Sequence, residues 1–275
     1  METTIASGSD LFITVNGTKI CYDDFGTGLE PIIFLHGFPF DKSAWKPQID
    51  FLKNTYRVIA IDIRGFGKSN AGNEKMSITL FADDLIKFMD ALEIKSAVAC
   101  GLSMGGFILL NAVNRFPERF SALIFADTQC IADTQEVKDG RAKTIAQIEK
   151  EGTEKFTENF LQAVFHPDTF KNEKALVENI KGIIKNNSPE IIISGLQALA
   201  SRDETCTSLS KISVTTLVLC GKQDTVTPAT QSEYLNKNIK DSFIHLIDNA
   251  GHLSNLEKGD EFNHYLSYFI HDMVK

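Results

Sequence analysis

Cys100-Gly101-Leu102-Ser103-Met104-Gly105-Gly106 is the stretch of sequence that decides the fold. It joins an apolar run over 96–100, which predicts a strand, to an apolar run over 107–113, which predicts a helix. In a Gly-x-Ser-x-Gly turn of this kind the glycines leave room for a tight reversal, so the serine hydroxyl lies above the sheet edge. The helix that follows directs free N–H groups to the same place, which favours an anion there. The pattern therefore indicates Ser103 as a candidate nucleophile.

The regions around this turn alternate between predicted strands and helices. Two antiparallel strands are expected on either side of the hairpin signal Asn16-Gly17, and Ser77 is expected to cap a helix that ends near Leu92. Further strands are predicted over 31–35, 57–61, 120–126, 214–220 and 242–247, and a final helix over 255–273. Such alternation predicts an α/β fold with a mostly parallel sheet and right-handed crossovers.

A long segment, 127–213, separates two of the predicted strands and is interpreted as an insertion. Its apolar periodicity predicts four helices, over 136–151, 154–165, 172–185 and 189–202. It also contains Phe156, Phe160, Phe165 and Phe170. These rings either line a lid over a pocket or form the small core that short helices need.

Composition favours one large globular domain or a core with an insertion. The chain has 275 residues, of which 43% are hydrophobic and 23% are charged. Its net charge of −8 argues against binding to nucleic acid or to an anionic membrane, which requires clustered Lys and Arg. No apolar run reaches the roughly 18 residues of a membrane helix, so no membrane insertion is expected. Residues 1–10 do not resemble a signal peptide.

Cysteine usage predicts a reducing compartment. The five cysteines lie far apart and without paired spacing, at Cys21, Cys100, Cys130, Cys206 and Cys220. Three of them fall in or beside apolar strand-like runs. The pattern predicts free, mostly buried thiols and a cytoplasmic protein.

A serine nucleophile needs a base within hydrogen-bond reach and a third group that orients this base. His252 is the predicted base, because it lies in a glycine-containing loop directly after the last strand, where ligand-facing groups of a parallel sheet collect. Other histidines occupy less suitable settings: His245 inside a strand, His264 and His271 on the last helix, and His166 in the insertion.

Asp224 is the predicted orienting acid. It follows the strand over 214–220 and gives the chain order Ser, Asp, His. Asp127 is a competitor, because it directly follows the strand over 120–126; otherwise it is expected to act as a helix cap or hinge of the insertion. Asp62 also ends a strand, but Arg64 is expected to pair with it in a structural role.

Acyl transfer also requires two donors for the developing oxyanion. The backbone N–H groups of Met104, directly after the serine, and of Phe38, in the loop after the strand over 31–35, are the candidates. Gly37 allows this loop to turn towards Ser103. His36 is expected to brace the loop by hydrogen bonding and not to transfer protons.

No cofactor or metal is predicted. Gly65-Phe66-Gly67-Lys68-Ser69 resembles the end of a phosphate-binding loop, but that motif requires glycine where this chain has Asp62. A dinucleotide-binding pattern fails in the same loop at Asn70. No His, Cys or carboxylate cluster has the spacing of a metal site.

From about residue 11 to its end, the chain resembles the α/β-hydrolase superfamily. Four motifs carry the resemblance: His36-Gly37-Phe38-Pro39, Asp62-x-Arg64-Gly65-x-Gly67-x-Ser69, Gly101-x-Ser103-x-Gly105-Gly106, and Gly221-x-x-Asp224 followed by Gly251-His252. The resemblance implies an eight-stranded sheet with helices on both faces. It also implies a core over 1–128 and 206–275 and a helical cap over 129–205.

Within the superfamily, Gly-Leu-Ser-Met-Gly-Gly and the stretch 198–203 resemble bacterial carboxylesterases, 3-oxoadipate enol-lactonases and cofactor-free perhydrolases. Serine at position 103, where haloalkane dehalogenases carry aspartate, speaks against dehalogenation. Leu102 replaces the asparagine that is frequent in the C–C bond hydrolases of aromatic catabolism.

The resemblance implies a serine hydrolase that cleaves small, mainly apolar carboxylic esters through an acyl-enzyme. Ser103 would be the nucleophile, His252 the base and Asp224 the orienting acid. The alternative is an enol-lactone or C–C bond hydrolase; a lactonase would need a cationic anchor, for which Arg141 and Arg202 are the arginines of the insertion. A ligand receptor that moves its cap and hydrolyses weakly is a third option. The sequence leaves the oligomeric state open, a homo-oligomer included.

Overall fold

The centre of the molecule is a sheet made of β1 (Gly8–Val15), β2 (Thr18–Phe25), β3 (Ile32–Leu35), β4 (Val58–Ile61), β5 (Ala97–Leu102), β6 (Phe120–Ala126), β7 (Thr215–Gly221) and β8 (Ser242–Ile247). The computed structural model describes residues 7–28 and 30–274. The strands lie in the order β1-β2-β4-β3-β5-β6-β7-β8. β2 is antiparallel to both β1 and β4, and all other neighbours are parallel. The predicted mostly parallel α/β sheet is thus confirmed.

The central strands are apolar on both faces because both faces are covered. All residues of β3, β4 and β5 are buried, whereas β1, at one edge, alternates between exposed and covered positions. Continuous apolar runs and an alternating run are the patterns expected of these two settings. Since β3, β5, β6, β7 and β8 are parallel, their carboxyl ends meet along one edge of the sheet.

The helices are α1 (Lys46–Leu52), α2 (Ile78–Ala91), α3 (Met104–Arg115), α4 (Gln135–Glu151), α5 (Glu154–Val164), α6 (Pro167–Asn172), α7 (Lys174–Lys185), α8 (Pro189–Ala200), α9 (Ala229–Asn238), α10 (Ser254–Glu257) and α11 (Gly259–Tyr268). The hydroxyl of Ser77 accepts the N–H of Leu80 at 3.1 Å and so caps α2 as predicted. Within the described ranges, no helix is long and apolar enough to cross a membrane.

The predicted helix over 255–273 is interrupted. Lys258 adopts φ −132° and ψ 50°, which separates α10 from α11, and a π-helical turn, Phe269–Met273, follows α11. The break falls in the polar run Glu257-Lys258-Gly259-Asp260-Glu261, which separates the apolar residues Leu256 and Phe262.

Between β6 and β7 the chain forms five α-helices, α4 to α8, where four helices were predicted, and a short 3-10 helix, Cys206–Lys211. The additional helix, α6, has Pro167 in its first turn, and the Nδ1 atom of His166 accepts the N–H of Asp168 at 3.1 Å. Proline is favourable at this position because the first N–H of a helix has no partner. The division into a core and a cap at 128/129 and 205/206 stays a prediction.

The prediction that all five cysteines are free is wrong for two of them. Cys130 and Cys206 form a disulfide, with a Cα–Cα distance of 4.9 Å, and Cys21, Cys100 and Cys220 are free and buried. The two bonded residues are 76 positions apart in the sequence. Cys130 lies shortly after β6 and Cys206 shortly before β7, and these two strands are neighbours in the sheet. The two ends of the inserted segment therefore meet. The cysteine-based support for a reducing, cytoplasmic compartment no longer holds.

Candidate active site

Ser103 lies at the bend between β5 and α3 in a strained backbone conformation. Its φ of 51° and ψ of −110° are outside the regions that residues with a side chain prefer, at a typical cost of about 1–3 kcal/mol. The bend is held by hydrogen bonds: the N–H of Ser103 donates to Ala126 O at 2.9 Å, and the hydroxyl of Thr128 donates to Ser103 O at 2.8 Å. A conformation that the neighbouring strand fixes in this way is typical of a functional site.

The glycines beside Ser103 allow backbone segments to approach closely. A Cβ atom at Gly101 would lie 2.4 Å from the carbonyl carbon of Gly105, and one at Gly105 would lie 2.3 Å from the carbonyl oxygen of Leu35. A Cβ atom at Gly37 would lie 3.2 Å from that of Ser103. The turn and the loop after β3 could not come together if these positions carried side chains.

His252 and Asp224 form a buried pair at the ends of β8 and β7. The Nδ1 atom of His252 lies 2.8 Å from Asp224 Oδ2, and the two residues are only 1% and 5% exposed. Asp224 also accepts the hydroxyl of Thr227 at 2.7 Å and the N–H groups of Val226 and Thr227 at 2.7 and 3.0 Å. These donors fix the carboxylate, which in turn fixes the imidazole.

The environment of this pair favours its charged form. Burial alone would lower the pKa of His252, but the adjacent Asp224 outweighs burial, and the pKa lies above its ordinary value of 6.5. Burial likewise opposes ionisation of Asp224, but the charge and hydrogen bond of His252 hold the pKa of the carboxyl below its ordinary value. An imidazolium formed at His252 is therefore stabilised, as a general base requires.

Asp127, the competing candidate acid, contacts other groups. One of its oxygens accepts the N–H of Gly221 at 2.7 Å, and the other accepts the hydroxyl of Ser254 at 2.5 Å. It thereby ties the end of β6 to the end of β7 and to α10, and the expectation that it caps a helix is not met. Burial and the nearby Asp224 raise the pKa of Asp127 to about 8, so its carboxyl is largely neutral at pH 7.

His36 braces the loop after β3, as predicted. Its Nδ1 lies 2.8 Å from Gly37 O, and its Nε2 accepts the N–H of Ile63 at 3.0 Å. This arrangement places the proton on Nδ1, and burial lowers the pKa of the ring, so it stays neutral. In the described part of the chain, neither the N–H of Phe38 nor that of Met104 has an acceptor.

The predicted pairing of Asp62 with Arg64 is wrong. Asp62 accepts the N–H groups of Lys42 and Lys68 at 2.7 and 2.9 Å and the Nζ of Lys42 at 3.2 Å. Arg64 instead forms a bidentate ion pair with Asp84 of α2, in which Nε donates to Oδ2 at 2.6 Å and Nη2 donates to Oδ1 at 2.7 Å. Asp62 is thus surrounded by donors from the segment after β3, through Lys42, and from its own loop, through Lys68, while Arg64 turns towards α2. The structural role predicted for Asp62 agrees with these contacts.

A cavity of about 70 Å³ joins the serine, the histidine and the inserted helices. Ser103, His252 and Phe38 line it together with Arg141 and Arg202. Among the described residues no hydrogen bond within 3.5 Å links Ser103 to His252; such contacts are often long without substrate.

A second, outer cavity of about 470 Å³ continues from the first between α4, α5 and α8. Both cavities share Phe38, Arg141, Phe160 and Val226. The rings of Phe156 and Phe160 each lie 6.2 Å from that of Phe38. These two phenylalanines therefore line the cavity, as a lid would, whereas Phe165 is buried and Phe170 is exposed.

A buried charge cluster borders the inner cavity. Asp133 accepts hydrogen bonds at 2.6 Å from Arg141 Nε and from Arg202 Nη1, so two cations share one carboxylate. The guanidinium of Arg202 also lies over the ring of Phe107 at 4.4 Å. Within the part of the chain that the structure describes, the Nε of Arg202 is buried without a partner. The cluster keeps one positive charge in excess beside the cavity.

Sequence reasoning missed several residues of the site. Phe107 is four residues after Ser103 on α3, so helical spacing alone could have placed it on the same side. Gln129 lines the cavity from the first residues after β6, a position that the topology of parallel strands marks. No sequence motif marks Asp133 or Thr227 as a site residue. Asp133 binds Arg202, which is 69 positions away, and Thr227 reaches Asp224 only because of the shape of the loop after β7.

Asp127, Cys220 and Asp224 are a group of potential metal ligands within residues 7–28 and 30–274. One ligand atom of each lies within 4.8 Å of the others, and all three residues are buried. However, hydrogen bonds from Ser254, Gly221 and Thr227 and the pair with His252 already occupy the two carboxyl groups. Burial also raises the pKa of the Cys220 thiol far above neutrality, which disfavours the thiolate that a metal binds. These residues fit a hydrogen-bonded core better than a metal site.

Comparison with known proteins agrees with this fold. Residues 30–259 match the sequence model of the alpha/beta hydrolase fold family. The chain therefore belongs to this family and is a hydrolase with the alpha/beta hydrolase fold.

Particular relatives are esterases and lactonases. The chain is 30% identical to 3-oxoadipate enol-lactonase 2 of Acinetobacter baylyi over 253 residues, which cover 92% of this chain and 93% of the relative. A malate-bound esterase from Thermogutta terrifontis superposes with a TM-score of 0.90 at 28% identity, covering 96% of this chain and 97% of the esterase. The enol-lactonase from Burkholderia xenovorans LB400 has a TM-score of 0.88 at 26% identity, covering 94% and 99%.

Proposed function

We propose that this protein is a serine hydrolase that cleaves small carboxylic esters through an acyl-enzyme. The observation that carries the proposal is the buried 2.8 Å contact of His252 Nδ1 with Asp224 Oδ2, beside the strained Ser103 and in the same cavity. The similarity to an esterase and to enol-lactonases supports the same class of reaction.

In the proposed reaction, His252 Nδ1–H donates to Asp224, which leaves Nε2 free to accept the hydroxyl proton of Ser103. Ser103 Oγ forms a bond to the ester carbonyl carbon, and the carbonyl oxygen becomes an oxyanion that accepts the N–H groups of Phe38 and Met104. Each such donor contributes about 2.7–4 kcal/mol to the transition state. The C–O bond to the alcohol then breaks, and His252 returns the proton to the departing oxygen.

A water molecule completes the proposed cycle. It gives a proton to His252 Nε2 while its oxygen attacks the acyl carbon, and the bond to Ser103 Oγ breaks as the serine regains the proton. The apolar walls of the outer cavity, with Phe156, Phe160 and Leu196, suit an apolar acyl or alcohol group.

Comparison with Ser103→Ala tests this proposal. We expect the wild-type protein to release p-nitrophenol from a series of p-nitrophenyl esters, acetate to octanoate, and the variant to lose roughly six orders of magnitude in kcat. A burst of p-nitrophenol equal to the enzyme concentration would report the acyl-enzyme. Equal rates for the two proteins would exclude the proposed hydrolase and favour a ligand-binding role.

Hydrolysis of a carboxylate-bearing lactone or ester is a second candidate, favoured by the cluster of Arg141, Arg202 and Asp133. Its excess positive charge borders the inner cavity, and the side chain of Arg141 is 24% exposed. A substrate carboxylate could accept a hydrogen bond there and compensate the charge.

Matched substrates separate the two candidates. We expect a lactonase or anionic-ester hydrolase to prefer a mono-ester of a dicarboxylic acid over the neutral diester, and Arg141→Gln to raise KM for the anionic substrate alone, by about tenfold. A preference for the neutral ester that Arg141→Gln leaves unchanged would exclude the second candidate.

A further inference from the structure

The C-terminal end of α5 is hydrogen-bonded directly to the loops that carry His252 and Asp224. The N–H of His252 donates to Val164 O at 2.8 Å. The hydroxyl of Thr225, next to Asp224, donates to Ala163 O at 3.2 Å. The inserted helices therefore hold the two loops of the candidate site and do not only cover its cavity.

Glu257, the last residue of α10, bridges the same two parts of the molecule. Its Oε1 accepts the N–H of Gly251 at 2.7 Å, and its Oε2 accepts the N–H of His166 at 2.8 Å. Both bonds are short and have a charged acceptor, so each is stronger than a neutral amide bond. One carboxylate thus joins the residue before His252 to the residue before α6.

The contact between the two backbones leaves little space for an alternative arrangement. A Cβ atom at Gly251 would lie 2.8 Å from both His166 N and Val164 O. Because the backbones touch directly, the position of the loop depends on the bonds that hold it in place. On the side of the inserted helices these bonds come from Glu257 and from the N–H of His252, and on the side of β7 from Gln223, which is hydrogen-bonded to Ala250.

We infer that Glu257 is a positioning residue, whose carboxylate holds the backbone of His252 in register with the inserted helices. The inference rests on the proposed function, since it assigns His252 as the base. Loss of the bridge would release the N–H of Gly251, the residue directly before His252. A displacement of about 1 Å at a reacting group can cost up to about 100-fold in rate.

The charge of Glu257 adds a second effect that a merely structural residue would lack. Burial lowers the pKa of His252, whereas the carboxylate charge of Asp224 and, more weakly, that of Glu257 raise it. Asp127 also lies close, but its carboxyl is largely neutral at pH 7 and adds to this effect only where it is ionised. His252 must be neutral to act as a base, so activity rises as pH passes its pKa. Removal of the Glu257 charge is therefore expected to move the acidic midpoint of kcat/KM to lower pH.

Glu257→Gln tests the inference, with Glu261→Gln as the matched control. Glu261 is half-buried like Glu257, but it contacts His245 Nε2 at 2.8 Å, away from the cavity. We expect Glu257→Gln to lose about 10- to 100-fold in kcat with a smaller change in KM. Its acidic midpoint should fall, and amide hydrogens within 163–166 and 250–252 should exchange faster, while Glu261→Gln keeps wild-type values.

The outcomes separate the inference from the proposed function. If Ser103→Ala is inactive but Glu257→Gln keeps the wild-type kcat and midpoint, the positioning role is excluded. If Ser103→Ala is as active as wild type, the proposed function itself fails. If Glu257→Gln does not fold, Glu257→Asp is measured in its place. The aspartate keeps the negative charge, but its side chain is too short to accept both N–H groups, those of Gly251 and His166. A lower kcat of Glu257→Asp together with faster amide hydrogen exchange would support the inference. A wild-type kcat and wild-type exchange rates would overturn it.

Discussion

Asp127 and Asp224 end neighbouring parallel strands, but their surroundings give them different chemistry. Asp224 accepts N–H and hydroxyl donors and faces His252, so its ionised form is favoured. Asp127 lies fully buried between Gly221 and Ser254, where its neutral form is favoured at pH 7. A neutral carboxyl does not stabilise an imidazolium by its charge, which supports the orienting role that we propose for Asp224.

The two aspartates should therefore respond differently to the same substitution. We expect Asp224→Asn to lower kcat by about 10⁴-fold, because the amide no longer favours the tautomer and charge that His252 needs. Asp127→Asn should change kcat less than tenfold, since its amide can still accept from Gly221 and donate to Ser254. Steady-state kinetics on a p-nitrophenyl ester would measure both, and the reverse order would give the role to Asp127.

His252 should also determine the pH dependence of the rate. Its pKa in the folded protein lies above 6.5 because of Asp224, and only the neutral ring can accept the proton of Ser103. We expect kcat/KM to rise with pH through a midpoint above 6.5, and the residual activity of Asp224→Asn to rise through a lower midpoint. An unchanged midpoint in the variant would contradict this cause of the shift. Pre-steady-state burst measurements over the same range would show whether acylation follows the same curve.

At the level of elements, the disulfide closes the segment that carries α4 to α8. Cys130 and Cys206 are 76 positions apart, and the N–H of Thr205 donates to Cys130 O at 2.9 Å beside them. In the chain-entropy model, closing a loop of this length destabilises the unfolded state by about 4.5 kcal/mol. The bond thereby stabilises the attachment of the inserted helices to β6 and β7.

Removal of this bond should destabilise the protein. We expect Cys130→Ser combined with Cys206→Ser to lower the free energy of unfolding by about 2–4 kcal/mol, measured by urea denaturation. Reductant should lower the stability of the wild-type protein by a similar amount and leave the double variant unchanged. A wild-type protein that does not respond to reductant would show that the bond is absent in solution.

Local patterns predicted most elements, because each pattern has a local physical cause. Apolar runs marked the buried strands, Asn16-Gly17 marked the hairpin, and Ser77 marked the start of α2. The break at Lys258 was missed, although the polar run 257–261, which contains Gly259, interrupts the apolar period there. The disulfide and the Arg64–Asp84 pair were also missed, because they depend on which distant segments the sheet order brings together.

At the scale of the whole molecule, the site forms where the ends of parallel strands meet the inserted helices. Strand order alone places Ser103, Asp224 and His252 at one edge, and the sequence could predict this from the position of each residue after a strand. The contacts between this edge and the inserted segment, such as the bridge that Glu257 makes between Gly251 and His166, depend on how the insertion packs. They became visible only in three dimensions.

The stability of the folded molecule should fall as pH rises, because of two buried groups of the site. The pKa of Asp127 is raised from 3.8 to about 8, so between these values the folded state holds a proton that the unfolded state has released. The raised pKa of His252 acts in the same direction above pH 6.5. Asp224, whose pKa is lowered, contributes a nearly constant stabilisation above about pH 5.

We therefore expect the free energy of unfolding to decrease between pH 5 and 8, with a slope of at most about 1.4 kcal/mol per pH unit for each proton. Asp127→Asn should flatten this slope, because its amide does not titrate. Asp139→Asn, on the exposed surface of α4, is the matched control and should keep the wild-type slope. Urea denaturation at several pH values would measure the three proteins. Equal slopes for wild type and Asp127→Asn would mean that Asp127 is ionised in the folded protein. The neutral charge of Asp127 could then no longer be the reason why Asp224, and not Asp127, stabilises the imidazolium of His252.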